Sequence, residues 1–277
     1  MEHSEHLKRQ GNIFEQVLAI LKNDSRVLGI VTVGSYARGE QDAFSDIDVV
    51  CYLRDEERTG RPELYDQVGR IAPVLWKLWI YDLHALYLFE NGVRLDLDFC
   101  RPSAISENST YAYTDASILY DPEGVLGQSL TAVDKPWVAE HPKWFQPGDL
   151  AMVDWFFWMF RQIVCWAKRG AQGDYRAYNK LSNAVDSLAE VRTRLVEMRL
   201  WTLGIQDYLG WIDVEWAQRI AQTYPHLTAD EVIKCAKLLL DEYEYVCPVY
   251  CKKAGCIYPA HKVVIIRRLI AEFEQLT

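Results

Sequence analysis

The sequence GSYARG at residues 34–39, followed by SDID at residues 45–48, decides how the fold of this chain is interpreted. The first motif directly follows residues 27–33, a short apolar run rich in β-branched side chains that predicts a buried strand. The second motif opens another predicted strand at residues 46–53. The order is therefore strand, glycine-serine turn, short helix, acidic motif and strand, which is an arrangement typical of a site rather than of a connecting loop.

The glycine-serine turn predicts a phosphate-binding site. A turn that leads from a strand into a helix exposes backbone N–H groups, and a serine adds a hydroxyl that reaches phosphate oxygens. Gly34 and Ser35 stand at this position, and Arg38 adds a fixed positive charge close by. We predict that these three residues bind a nucleotide through its phosphates.

Two carboxylates follow at the start of the second strand. Asp46 and Asp48 are two positions apart, so a strand places both side chains on the same face of the sheet. Hard oxygen ligands of this kind bind Mg²⁺, and a shared metal ion removes their mutual repulsion. The pair therefore predicts a magnesium site beside the phosphate-binding turn.

A β-hairpin is predicted further along the chain. Residues 86–90 and 93–99 have strand composition and are joined by Asn91-Gly92, the dipeptide that best suits the positive φ angles of a type I′ turn. Strict alternation in the second strand places apolar side chains on one face and polar ones on the other. The hairpin thus supplies further carboxylates on one polar face.

Those carboxylates are Asp96 and Asp98, and alternation alone does not choose between them. A third carboxylate beside a metal site can complete the metal coordination or accept the proton of an attacking hydroxyl. The residue not so used is expected to lie beside Arg94 or Arg101. His84 shows no catalytic partner in the sequence and is interpreted as an ordinary residue.

The remaining sequence predicts an α+β chain with a helical second half. A helix is predicted at residues 63–75, and a region rich in Pro-containing breakers at 111–147 is interpreted as the connection between domains. The domains are then residues 1–110, a mixed sheet flanked by helices, and residues 148–277, an α-helical bundle. The aromatic run at 155–160 suits either the bundle core or a ligand-binding cleft.

Taken together, these motifs resemble the nucleotidyltransferase superfamily that includes DNA polymerase β and the antibiotic nucleotidyltransferases. The resemblance covers roughly residues 10–105 and implies that the first domain is a nucleotidyltransferase domain. It implies that a triphosphate is held by Ser35 and Arg38. It also implies a magnesium site, for which the ligands would be Asp46, Asp48 and Asp96.

The helical half is similar in layout to that of lincosamide nucleotidyltransferases and, more loosely, of aminoglycoside adenylyltransferases. In the lincosamide enzymes the segment similar to residues 89–96 carries the catalytic carboxylate, which implies that Asp96 is the general base. The expected activity is transfer of a nucleoside monophosphate, AMP from ATP, to a hydroxyl of a small antibiotic bound by the helical domain. Aminoglycoside adenylyltransferase and a non-catalytic antitoxin of the nucleotidyltransferase type remain as alternatives.

Charge and composition restrict the partners. The 30 Lys and Arg residues against 39 Asp and Glu residues give a net charge of −9, which argues against an extended nucleic-acid surface and so against a polymerase. No apolar stretch reaches membrane length and no leader is recognised, so a cytoplasmic protein without membrane contact is expected. The seven cysteines are expected to be reduced thiols, and the set formed by Cys247, Cys251, Cys256 and His261 lacks the usual zinc spacing. A homodimer, in which a second copy completes the substrate cleft, remains open.

Overall fold

The structure, a computed structural model, consists of two compact units, residues 1–142 and residues 143–277. It describes residues 3–54, 61–80, 84–100, 116–129, 151–171, 175–203, 214–226 and 228–276. Among these residues, no helix combines the length and the apolar character that crossing a membrane requires. Most of the predicted connecting region, including its breakers Pro136, Pro142 and Pro147, lies outside the described residues.

The first unit is built on a mixed six-stranded sheet. Its described elements, in chain order, are α1 (His3–Lys22), β1 (Val27–Val33), α2 (Gly34–Arg38), β2 (Ile47–Leu53), α3 (Arg61–Val68), β3 (Val74–Ile80), β4 (His84–Phe89), β5 (Arg94–Cys100), β6 (Ala116–Tyr120) and α4 (Val125–Ser129). The strand order is β3-β4-β5-β2-β1-β6. Strands β2 and β5 are parallel and all other neighbours are antiparallel, so the α+β prediction is confirmed.

The main core of this unit lies on the face of the sheet opposite the predicted carboxylates. On β5 the alternation is regular, because Leu95, Leu97 and Phe99 are fully buried while the acidic residues between them are half-buried. Helix α1 packs Val17 and Leu21 into the same core. The apolar face thereby fixes which way every polar side chain of β2 and β5 points.

One predicted helix is too long, and two strands are missing from the prediction. The helix predicted at 63–75 is α3, which ends at Val68, and β3 begins at Val74. Proline disfavours the interior of a helix, which Pro73 would occupy in the predicted one, and the following residues pair with β4 in an antiparallel ladder. Strand β6, which pairs with β1 at the edge of the sheet, was not predicted at all.

The hairpin between β4 and β5 is confirmed, but its turn is not the predicted type. The N–H of Gly92 donates to the carbonyl of Phe89 at 2.9 Å, and the N–H of Phe89 donates to the carbonyl of Val93 at 2.9 Å. Gly92 is thus the last residue of a three-residue loop and takes the left-handed conformation, with φ of 85°. This is the geometry of a turn followed by a glycine bulge rather than of a two-residue type I′ turn.

The described part of the second unit is helical, as predicted. Its elements are α5 (Ala151–Gly170), α6 (Tyr175–Leu203), α7 (Val214–Ala221), α8 (Ala229–Ala254) and α9 (Ala260–Gln275). Thr228 caps α8, since its hydroxyl accepts the N–H of Glu231 at 3.3 Å. Helices α5, α6, α8 and α9 pack against one another as a bundle.

The aromatic run on α5 lies in the core of this bundle. Phe156, Phe157 and Phe160 are fully buried, and their rings pack against Tyr243 of α8. The hydroxyl of Tyr243 donates to the carbonyl of Val153 at 2.9 Å, so its one polar atom is satisfied within the core. These residues therefore stabilise the bundle, and the alternative of a ligand-binding cleft finds no support in them.

Candidate active site

The parallel pairing of β2 and β5 brings the predicted carboxylates together. Asp48 of β2 is the direct register partner of Asp96 of β5, and both side chains lie on the face opposite the main core. Asp46 precedes the first residue of β2 by one position and is half-buried on the same side. Three carboxylates, one of them just before β2, therefore share one small region of the sheet surface.

Arg94 forms ion pairs with two of these three carboxylates. Its Nε and Nη2 donate to the two oxygens of Asp96 at 2.9 and 2.5 Å, and its Nη1 donates to Asp46 Oδ2 at 3.1 Å. The Arg94 side chain is only 11% exposed. Planar guanidinium groups bind carboxylates in this two-pronged way, which fixes the orientation of the Asp96 carboxylate.

Asp48 has no such partner. Among the described residues, no hydrogen bond to its carboxylate is found. Burial, followed by the negative charges of Asp96 and Asp46, raises the pKa of Asp48 to about 8, although Arg94 opposes this shift. Burial also raises the pKa of Asp96, against the opposing charge of Arg94. The ionised form of Asp48 is therefore disfavoured unless a further positive charge lies beside it.

The glycine-serine turn lies directly beside this cluster. Gly34 has φ of 65°, and a Cβ at this position would lie 3.2 Å from Asp48 Oδ2, so both the conformation and the close approach require glycine. The Ser35 hydroxyl lies 3.1 Å from the hydroxyl of Ser45, which is fully buried. Ser45 is fixed in turn by Asp42, whose N–H donates to it at 2.9 Å and whose Oδ1 accepts from it at 3.0 Å.

Arg38, at the end of α2, lies on the more exposed side of this region. Its Nε donates to Glu40 Oε2 at 2.7 Å, and its side chain is one-third exposed. Gly39 follows it in the left-handed conformation and ends the helix. The structure thus places Arg38 on the predicted helix, while its binding of phosphate stays a prediction.

Asp98 lies one pleat further along β5, and its partner was not expected. The Nδ1 atom of His84 and Oδ1 of Asp98 form a short hydrogen bond across the β4–β5 ladder. Arg94 interacts with Asp46 and Asp96 as described above, and Arg101 lies outside the described residues. Burial alone would lower the pKa of His84, but the hydrogen bond and the charge of Asp98 together raise it above its usual value.

The donor set of the cluster fits a divalent cation. Asp46, Asp48 and Asp96 offer the carboxylate oxygens that Mg²⁺ prefers, and the ionised form of Asp48 requires a positive charge near it. As the side chains stand, no three His, Cys, Asp or Glu side chains within the described ranges converge on a common point. The guanidinium of Arg94 contacts two of the three carboxylates instead.

Comparison with known proteins agrees with this geometry. Residues 14–103 match the family model described as a nucleotidyltransferase domain, and this range includes every predicted site residue. A search of curated proteins gave no significant match.

Several solved structures are similar at low sequence identity. An aminoglycoside 6-adenyltransferase from Bacillus subtilis is 15% identical over 96% of this chain and 97% of that chain, with a TM-score of 0.33. A nucleotidyltransferase-like protein from Exiguobacterium sibiricum is 12% identical over 88% and 77%, with a TM-score of 0.24. A CCA-adding enzyme in complex with CTP is 13% identical over 99% and 86%, with a TM-score of 0.31. The family match therefore carries the assignment: the chain contains a nucleotidyltransferase domain and is an enzyme of the transferase class.

Proposed function

We propose that the protein is a Mg²⁺-dependent O-nucleotidyltransferase, which transfers a nucleoside monophosphate from a nucleoside triphosphate, ATP foremost, to a hydroxyl of a small antibiotic. The observation that carries the proposal is the carboxylate cluster on β2 and β5. Three carboxylates share one region of the sheet surface there, and Arg94 pairs with two of them. No hydrogen bond to the Asp48 carboxylate is found among the described residues, and burial raises its pKa to about 8. A buried carboxyl ionises readily only beside a positive charge, which a bound metal ion would supply.

Asp46, Asp48 and Asp96 are the residues that would hold Mg²⁺. The metal would neutralise charge on the triphosphate, which is what phosphoryl-type transfer requires. Ser35 and Arg38 are proposed to contact the phosphates, and Gly34 leaves the space beside Asp48 into which a phosphate group can approach. The close approach of Gly34 to Asp48 and the contact of Ser35 with Ser45 support the assignment of these two residues, whereas Arg38 is assigned from the sequence motif.

Asp96 is proposed to act as general base. The acceptor hydroxyl oxygen forms a bond to the α-phosphorus, the bond to the bridging oxygen of pyrophosphate breaks, and the hydroxyl proton passes to Asp96. Arg94 donates to both oxygens of this carboxylate, yet each oxygen keeps a further lone pair that can accept a proton. The raised pKa of Asp96 favours proton acceptance.

The acceptor is proposed to be a lincosamide, with an aminoglycoside as the alternative. Both classes carry hydroxyl groups and an amine, and the net charge of −9 attracts a cationic ligand of either kind. The acceptor-binding role of the helical unit stays part of this proposal.

A screen for acceptor-dependent release of pyrophosphate tests the proposal. The protein is incubated with Mg²⁺, each of the four nucleoside triphosphates and a panel of lincosamides and aminoglycosides. We expect release with one antibiotic class and no release by Asp96→Asn. Absence of acceptor-dependent release throughout the panel, from protein that binds Mg·ATP, would contradict an antibiotic acceptor.

A further inference from the structure

A buried glutamine on α1 lies outside the sequence motifs but contacts two segments of the site, α2 and the loop at residues 42–46. Gln10 is fully buried and lies four positions before the first residue of the family match. Its Nε2 donates to the carbonyl of Ser45 at 3.0 Å and to the carbonyl of Ala43 at 3.4 Å. Its Oε1 accepts the hydroxyl of Tyr36 at 3.4 Å.

These contacts define the orientation of the Gln10 amide and link three segments. Only an amide nitrogen can donate to two carbonyls while the amide oxygen accepts from a hydroxyl, so Gln10 uses three of its four hydrogen-bonding possibilities. The carbonyl of Ser45 belongs to the peptide plane that joins Ser45 to Asp46. Fixing this carbonyl therefore fixes where the backbone of Asp46 begins.

The same contact sets the position of the Ser35 hydroxyl. The buried Ser45 side chain has a single proton, which it donates to Asp42, so it accepts the hydroxyl of Ser35. Tyr36, beside Ser35 on α2, is tied to α1 by Gln10 and by its ring contact with Phe14 at 4.9 Å. A shift of the Ser45 backbone would thus move Ser35 and Asp46 relative to each other.

We propose that Gln10 is a positioning residue for nucleotide binding, which holds the loop at residues 42–46 against α2 so that Ser35 and Asp46 face the same Mg·nucleotide. The inference rests on the proposed function, because Ser35 and Asp46 are assigned there to the phosphates and the metal. Gln10 acts through other residues and does not itself touch the ligand.

The test is a titration of Mg·ATP into wild type and Gln10→Met, a substitution of similar length that removes both the donor and the acceptor. One lost hydrogen-bonding contact corresponds to an affinity loss of roughly fivefold. Gln16→Met is the matched control, because Gln16 lies on the exposed face of the same helix and bonds only its neighbour Asn12 among the described residues. Val17→Ala controls for a destabilised α1, because it leaves a cavity in the core without removing a contact to α2 or to the loop at residues 42–46.

The mutant cycle with Ser35→Ala separates positioning from mere stability. We expect Gln10→Met to weaken Mg·ATP binding in the wild-type background. In the Ser35→Ala background, which lacks the Ser35 hydroxyl, it should change the affinity for Mg·ATP less than about twofold. Hydrogen exchange at the amide of Asp42 should accelerate in Gln10→Met and stay unchanged in Gln16→Met and Val17→Ala. If wild type binds Mg·ATP and Gln10→Met binds it equally well, this inference alone is overturned. The same holds if the effects of Gln10→Met and Ser35→Ala on the binding free energy are strictly additive. Wild type that fails to bind Mg·ATP would overturn both the inference and the proposed function.

Discussion

The two units of the protein each contain a partly buried cluster of charged side chains, and the two clusters are built differently. In the helical unit, Glu242 accepts from Trp216 Nε1 at 2.9 Å and from Arg219 Nε at 2.7 Å, so each of its oxygens has a donor. In the sheet unit, Arg94 satisfies Asp46 and Asp96, while Asp48 has no hydrogen-bond donor among the described residues. The saturated cluster around Glu242 holds helices together, whereas the carboxylate cluster of the sheet unit keeps acceptor oxygens that a ligand can use.

We expect the largest effect from a substitution in the carboxylate cluster of the sheet unit. Asp48→Asn should lower the rate of nucleotide transfer by orders of magnitude, because it removes a proposed metal ligand. The fold should be kept, since Asn has nearly the size of Asp, leaves no cavity and replaces a carboxyl whose ionised form burial disfavours. Transfer rates and thermal unfolding of the same preparation check both statements. An Asp48→Asn variant with the turnover of wild type would remove the metal assignment.

Asp96 and Asp98 lie on the same strand but have different partners, and we expect different losses. Asp96→Asn should lower kcat strongly, because it removes the proposed base, while Mg·ATP still binds through the other two proposed ligands, Asp46 and Asp48. Asp98→Asn should retain measurable turnover, because the side chain it alters is paired with His84. Single-turnover rates decide between them. An inactive Asp98→Asn variant beside an active Asp96→Asn variant would reverse the two roles.

Removing Arg94 from the carboxylate cluster should make the thermal stability of the protein depend on Mg²⁺. Arg94→Met leaves the carboxylates of Asp46 and Asp96 without their guanidinium, and loss of one partner of a buried ion pair costs about 3–5 kcal/mol. We expect a lower melting temperature in EDTA than that of wild type, with partial recovery when Mg²⁺ is added. The control is Arg26→Met, which removes an arginine from a pair with Asp24 away from the site. Its melting temperature should not depend on Mg²⁺.

Breaking the saturated cluster should affect stability and not nucleotide binding. Glu242→Gln weakens the bonds from Arg219 and Trp216, and hydrogen bonds to charged groups contribute about 1.5–3 kcal/mol each. We expect a lower free energy of unfolding for the helical unit and an unchanged affinity for Mg·ATP. Denaturant unfolding and calorimetric titration measure the two quantities, and a lost affinity would place Glu242 in the functional machinery.

The smallest effect concerns the pair of Asp24 with Arg26. The hydrogen bond from the Arg26 side chain lowers the pKa of Asp24, against burial, so the ionised form is favoured in the folded state. A lowered pKa stabilises the protein above the pKa of the unfolded chain, near 3.8, and this contribution is lost as the pH falls through the lower folded value. For a pair this close to the surface the effect is below about 1 kcal/mol. The free energy of unfolding of Asp24→Asn should therefore lie below that of wild type at neutral pH, and this difference should shrink towards the acidic end of a pH series.

The sequence predicted those parts of the fold that depend on local pattern. The strand at residues 27–33 and the apolar face of β5 follow from composition and alternation, and both are confirmed. Strand β3 was missed because Ile71 and Ala72, which lie between α3 and β3, extend the apolar pattern of the helix into the strand. Strand β6 was missed because its pairing with β1 is contact between distant parts of the chain.

The sequence predicted which residues form the candidate site but not which of them contact one another. Alternation placed Asp48 and Asp96 on polar faces, yet the parallel register that makes them neighbours is set by tertiary packing. The contact of His84 with Asp98 left a signal that was overlooked, since both residues are equally far from Asn91 in the hairpin. Gln10 left none, because an isolated glutamine on a helix has no pattern.

The most direct test of the account is the binding of Mn²⁺, as a paramagnetic substitute for Mg²⁺, in the presence of a non-hydrolysable ATP analogue. The carboxylates of β2 and β5 are the proposed metal site, so wild type should bind the ion together with the nucleotide. Asp48→Asn should lose this binding while remaining folded, and Glu242→Gln should retain it. Equal Mn²⁺ binding by wild type and Asp48→Asn, or no binding by wild type, would contradict the central claim that this cluster is the catalytic metal site.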